Sequence, residues 1–165
     1  MKTLSKISFL LLLSLFFVQC SNDELDDDMS VEEMEELEME ETVNFSKSDS
    51  ADPTSASSQD RITDNVWITR ANNGGQIFNA KVEDSSSKST SPTGTRWALG
   101  VASDKDNLDF QSFRETIKPK EVVGKNLVMH LVEDDIYINV KFTSWSQGGQ
   151  NADAGGFDYT RTKLE

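Results

Sequence analysis

Cysteine, histidine and long apolar runs are all scarce in this 165-residue chain, and each scarcity excludes something. A single cysteine, Cys20, cannot form an intrachain disulfide, so any folded module must hold together by its core alone. A single histidine, His130, excludes a multi-histidine zinc centre, and its place between Met129 and Leu131 reads as structural rather than as a general base. The only sustained apolar run, Ile7 to Val18, is too short for a comfortable membrane span and is followed at once by polar sequence. The glycine loop at 148–156 lacks the GK[ST] ending that would hold phosphates. A basic stripe interleaved with aromatics is also missing, which argues against nucleic acid as a partner. No residue pattern calls for a cofactor.

What is present begins with targeting. Lys2 and Lys6 precede the apolar run as a positive n-region, and residues 1–19 read as a signal segment outside the fold. The run ends in FFVQC rather than in small residues of the A-x-A kind. From Asp23 to Glu41 there are twelve carboxylates and no cation. Residues 21–59 carry a net charge of −13, whereas residues 60–165 carry −2, so the low isoelectric point belongs to the N-terminal segment and not to the module. Ser30 and Glu33 have capping-box spacing, and Val31, Met34 and Leu37 share a helical face, the pattern of a short helix over 31–41. Its like-charge neighbours oppose it. SKSDSADPTSASSQ, 46–59, has the composition of a flexible linker.

From Arg61 onward short alternating runs are punctuated by turns. VWITRA and QIFNAKV flank NNGG, where Asn73-Gly74 supplies the positive-φ pair of a tight hairpin. DSSSKSTSPTG leads into TRWALGVA, in which Trp97 aligns with Leu99 and Val101 as core. NLDFQSF reads as a further strand and Lys118 to Gly124 as a connection. NLVMHLV and DIYINVKFTSW alternate strongly on either side of a bend at Glu133, Asp134 and Asp135, and GGFDYTR closes the chain. The expected fold is all-β: a single antiparallel β-sandwich of about seven strands over residues 60–165, after a disordered acidic tether over 20–59.

Two resemblances follow from these segments. FFVQC resembles a bacterial lipoprotein signal, which implies that Cys20 becomes the first residue and carries the lipid. The acidic run after it is similar to the surface-export signals of Bacteroidota lipoproteins. Together they imply a chain anchored in the outer membrane by its N-terminal lipid and facing the cell exterior. ITDNVWITR, GTRWALG, NLVMHLVEDDIYINVKFTSWSQGG and GGFDYTR resemble an uncharacterised module of secreted bacterial proteins, which implies one secreted domain and transfers no catalytic residues.

Strand parity nominates a binding face. Ile136, Ile138, Val140 and Phe142 share one side of the DIYINVKFTSW strand; Tyr137, Asn139, Lys141 and Trp145 share the other, and Trp67 joins them by the same reasoning. Aromatic rings beside polar donors suit a glycan or a protein surface. The alternative is that a loop or a second sheet covers this face. Asp104, Asp106 and Asp109 suggest a calcium loop, but Leu108 and Asp109 stand where the EF-hand pattern needs a ligand and a glycine, so the motif fails and no metal is assigned. No spacing singles out a catalytic pair. The expectation is therefore noncatalytic binding of a glycan or protein at the cell envelope. The alternatives are a small hydrolase acting on extracellular polysaccharide and a structural envelope component.

The anchor has a direct test. Cys20→Ser should release the mature chain from membranes or leave the precursor unprocessed; membrane fractionation of a processed variant that still sediments with membranes would exclude the lipid attachment.

Overall fold

The computed structural model describes residues 41–148 and 153–165. Cys20, the signal segment and the 31–41 helix pattern up to residue 40 lie outside the described residues. Eight strands run in order: β1 Thr42–Lys47, β2 Asp60–Arg61, β3 Trp67–Ala71, β4 Gly74–Asn79, β5 Thr95–Leu99, β6 Asn126–Leu131, β7 Ile136–Trp145 and β8 Phe157–Thr162. They form a five-stranded sheet, β1-β8-β7-β6-β5, and a three-stranded sheet, β2-β3-β4. Every strand pairing is antiparallel.

The core lies between the two sheets. Ile68 and Ile77 from the small sheet meet Leu127, Met129, Ile138 and Phe142 from the large one. One helical turn, Phe113–Thr116, inserts Phe113 edge-on against Trp97 with ring centroids 4.9 Å apart. Ser112 caps that turn through a complete capping box with Glu115. Trp97 is fully buried, as its parity requires, but Leu99 is 50% exposed. β5 is the edge strand of its sheet, and the helical turn that covers Trp97 does not cover its end. NLDFQSF is likewise not a strand: Gln111 makes an isolated bridge with Trp97, and the helical turn starts at Phe113.

Residues 42–47, expected to belong to the tether, form a strand of the large sheet. TVNFSK alternates, so Val43, Phe45 and Lys47 turn inward while Thr42, Asn44 and Ser46 turn out. All six residues of β1 pair with β8. Phe45 sits 5.6 Å from the rings of both Phe157 and Tyr159. Residues 46–59 read as a linker from composition, but Ser46 and Lys47 belong to β1 and 48–59 form a packed connection. Asp52 accepts from the backbone and hydroxyl of Thr54, and Ser58 O accepts from Thr69 Oγ1 at 2.6 Å. A boundary at residue 60 would strip the cover from β8 and from the aromatic cluster beneath it.

The hairpin between β3 and β4 also differs in detail from its sequence reading. Its left-handed residues are Gly74 (φ 107°) and Gly75 (φ 84°) rather than Asn73 and Gly74. A register shift at Arg70/Ala71 accommodates them.

One buried ion pair joins the sheets. Arg161 on β8 donates from Nε to Asp60 Oδ2 at 2.7 Å and from Nη2 to Asp60 Oδ1 at 3.0 Å. Tyr159 donates its hydroxyl to the same Asp60 Oδ2 at 2.5 Å. Both charged side chains are less than a tenth exposed, so each depends on the other for its solvation. Burial, followed by the Asp60 charge, drives the Tyr159 phenol well above its ordinary range and keeps it a hydrogen-bond donor.

Removing one partner should therefore be far worse than removing both. Asp60→Ala should lower unfolding free energy by about 3–5 kcal/mol, because it strands a buried guanidinium. Asp60→Ala with Arg161→Met should recover part of that loss in chemical denaturation. Equal losses in the single and double variants would show that the pair does not tie the sheets.

Candidate functional site

The sequence-nominated face does not assemble. Phe142 pairs with Tyr159, but the next paired residue on β7 is Ser144, opposite Asp158. The extra residue is a β-bulge at Thr143, and it inverts the parity of everything after it. Trp145 consequently pairs with Phe157 and packs against the core, opposite to Tyr137. Trp67 lies on the other sheet, half-buried, with Arg61 4.2 Å and Lys81 4.7 Å over its ring. Its indole donates to Thr63 O at 3.1 Å.

Tyr137, Asn139 and Lys141 do share a face, but the segment Ala102–Asn107 and Phe110 cover its Tyr137 end. Tyr137 stacks on His130 at 4.1 Å and 3°, and Phe110 meets its edge at 5.4 Å. Lys105 stands 5.1 Å from the Tyr137 ring. Asn139 Oδ1 accepts from Ala102 N at 2.7 Å. Lys141 is exposed and, with Asn139, borders a hollow of about 260 Å³.

The three aspartates do not converge on a point. Asp104 accepts from Asn107, Asp106 from Lys105 at 2.8 Å, and Asp109 from Gln111. Among the described residues no group of three or more acidic, histidine or cysteine side chains is placed to hold a metal ion. Asp134 and Asp135 act as turn residues. Asp134 accepts from Thr63 and Asn65, and Asp135 adopts φ 51° and contacts His130 Nε2 at 3.2 Å.

A different site emerges around Trp145. Arg70, near the end of β3, lays its guanidinium 4.0 Å from the Trp145 ring. It donates from Nε to Gly75 O and from Nη1 to Gly156 O, both at 2.9 Å. Arg70 is only 2% exposed. Burial lowers its pKa to about 10, opposed by the Asp49 charge, and it remains a cation at neutral pH. Two carbonyls and an indole face solvate that charge. Trp145 is thus a seat for Arg70 and not an open stacking platform.

Beside this pair opens a cleft of about 570 Å³. Arg70, Gln76, Trp145 and Gly148 are among its lining residues; Lys88, Arg114, Lys118 and Lys120 bring further cations, and Glu121 is the one carboxylate among them. Five cations against one anion contrast with the near-neutral module as a whole. Gln76 on β4 is 5% exposed, and its Nε2 donates to Lys88 O at 3.3 Å. Its Oε1 is the only buried side-chain N or O atom among the described residues without a hydrogen-bond partner. A buried acceptor in that state costs about 1–3 kcal/mol until a donor reaches it.

The back of the site is held by close backbone approach. Gly155 has φ 92°, and a Cβ there would stand 1.9 Å from Ala71 O. Lys47, 2% exposed, donates to Gly155 O at 3.3 Å. Burial, with Arg70 nearby, lowers its pKa. Asp49 clamps the same segment through the Ser146 hydroxyl and Gly156 N, the latter at 2.8 Å.

Sequence reading reached Trp145 but none of the cations. Arg114, Lys118 and Lys120 fall within FRETIKPK, and that concentration of bases in a near-neutral module was the available signal. Arg70 and Gln76 carried none, because only the hairpin and the bulge bring them to Trp145. No protein-family model, curated protein or solved structure matches the chain.

The Asp49 clamp predicts a pH dependence. Bonds from Ser146 and then Gly156 hold the folded-state pKa below the ordinary value of about 3.9. The unfolded chain therefore binds the proton first as pH falls, and the stabilisation present above about pH 4 is lost through the folded pKa. Asp49→Asn should flatten the acid limb of a stability–pH curve relative to the parent. Superimposable acid limbs would show that the clamp contributes nothing.

Proposed function

We propose that this chain is a lipid-anchored protein of the outer-membrane surface whose β-sandwich binds a glycan or protein ligand, without catalysis, in the cleft beside Trp145 and Arg70. The anchor rests on FFVQC and the acidic run that follows it. The observation that carries the binding role is the cleft itself: about 570 Å³ of space bordered by five cations and one carboxylate. These groups hold and orient a ligand; they do not compose a general acid and base. A glycosidase of the two-carboxylate kind needs a second acid across the bond to be cut. Among the described residues that line this cleft Glu121 is the only carboxylate, and it stands 3.5 Å from the Lys118 ammonium.

The test is binding and turnover measured together on the full-length chain in detergent, against a panel of envelope glycans and surface proteins. The expected result is saturable binding with no product released. Lys118→Glu with Lys120→Glu, both at exposed positions, should weaken that binding at least tenfold while leaving the melting temperature unchanged. Product release sensitive to Glu121→Gln would replace the binding reading with a hydrolase. Unchanged affinity in the charge-reversed variant would remove the cleft from the reading.

A further inference from the structure

The edges of the two sheets are not treated alike. β2 has two residues, too few to receive another strand. On β4, Ser86 Oγ accepts from Gln76 N at 3.2 Å, and Glu83 Oε2 accepts from Asn79 N at 2.7 Å. On β5, Trp97 exchanges both backbone bonds with Gln111, at 2.9 and 2.8 Å, and Thr95 N donates to Pro92 O. β1 has no such cover. Among the described residues its only neighbouring strand is β8. It contains neither proline nor bulge, and its outward side chains, Thr42, Asn44 and Ser46, are exposed and uncharged.

The β1–β8 ladder fixes which backbone groups remain open. Lys163 N donates to Glu41 O at 2.7 Å, so Glu41 faces β8. By the alternation of an antiparallel ladder Val43, Phe45 and Lys47 face it too. The N–H and C=O groups of Thr42, Asn44 and Ser46 therefore point to the free edge. Val43 and Phe45 stay half-buried there, although Phe45 packs on the core. Another strand satisfies both needs, because its main chain supplies alternating donors and acceptors and its side chains extend the covered face.

We infer that the occupant is a second copy of this chain, paired antiparallel through β1 with Asn44 opposite Asn44 of the second copy. The sequence of the strand selects that partner. In this register Thr42 faces Ser46, Val43 faces Phe45 and Glu41 faces Lys47 of the second copy, and the two-fold axis repeats each pair. Polar meets polar, apolar meets apolar, and no like charges stand opposite one another. Glu41 keeps its bond to Lys163 and Lys47 its bond to Gly155 O, since the pairing uses only open main-chain groups. A one-residue slip would set open groups against groups already bonded to β8. A two-residue slip would set Val43 against Lys47 of the second copy, or carry Ser46 past the end of the strand. The contact is one strand wide, so the association depends on concentration.

Sedimentation velocity tests this on the full-length chain, in enough detergent to keep unassociated chains in separate micelles. The expected result is a monomer that converts to a dimer over a roughly hundredfold rise in concentration. Asn44→Pro removes an open N–H and none of those bonded to β8, so it should weaken dimerisation at least tenfold without changing the melting temperature of the dilute monomer. Asn44 is exposed and its side chain accepts from Thr160 Oγ1 at the surface, so charged replacements leave the core untouched. Asn44→Lys and Asn44→Glu each set like charges face to face across the axis and should dimerise more weakly than the parent; mixing the two should restore the dimer as a heterodimer. A monomer at every concentration would overturn the inference, and uptake of a threonine–valine heptapeptide by that monomer would give the edge to a foreign strand. A dimer indifferent to Asn44→Pro forms through another surface, and a mixture no more dimeric than its Lys and Glu components excludes the Asn44 register; either result overturns it.

Discussion

Arg161 reaches from β8, the second strand of the large sheet, into the interior and grips both oxygens of Asp60, the first residue of the small sheet. Tyr159, two residues earlier on the same face of β8, adds its hydroxyl to the same carboxylate. Here register between the sheets is specified by directional bonds as well as by the shape of the apolar core. The charges cannot separate without exposing at least one of them to an apolar interior. Everything the small sheet contributes to the cleft, Arg70 and Gln76 above all, is positioned by a sheet tied down at Asp60. The pair is therefore a constraint on the site, even though it lies outside the site.

Closure at the N-terminal side is the second constraint. β1 covers one edge of β8 and buries Phe45 against Phe157 and Tyr159, the aromatic cluster beside the ion pair. The turn after β1 then delivers Asp49 to Ser146 and Gly156, and Lys47 to Gly155. A segment whose composition reads as spacer is in this way part of the floor under Arg70.

The bulge at Thr143 has the largest functional consequence of any single backbone feature. Without it Trp145 would stand outward beside Lys141 and Tyr137, as an uninterrupted alternation demands. With it the indole faces inward, among Phe113, Phe142 and Phe157, and offers its face to a guanidinium. The result exchanges an aromatic platform for a charged one. Tyr137 loses its openness for another reason, since the 102–110 segment folds back over it.

Local pattern carried a good part of this. Alternation of period two located β3, β4, β6, β7 and β8, the bend over Glu133–Asp135 between two of them, and the burial of Trp97, because side-chain direction along a regular strand depends only on residue parity. Composition separated an acid-rich segment from a near-neutral module, because net charge is a sum over sequence. What the sequence left open depends on residues far apart in the chain. β1 is a strand because β8, more than a hundred residues later, offers it an edge. The turn of Trp145 depends on one extra residue opposite Asp158, and nothing in FTSW itself marks a bulge. The cleft joins Arg70 and Gln76 from one sheet to Trp145 from the other and to Arg114 and Lys118 from a connection. Their proximity is a property of the packing between layers, which the tertiary structure alone decides, because parity and composition say which way a residue points but not what it will meet.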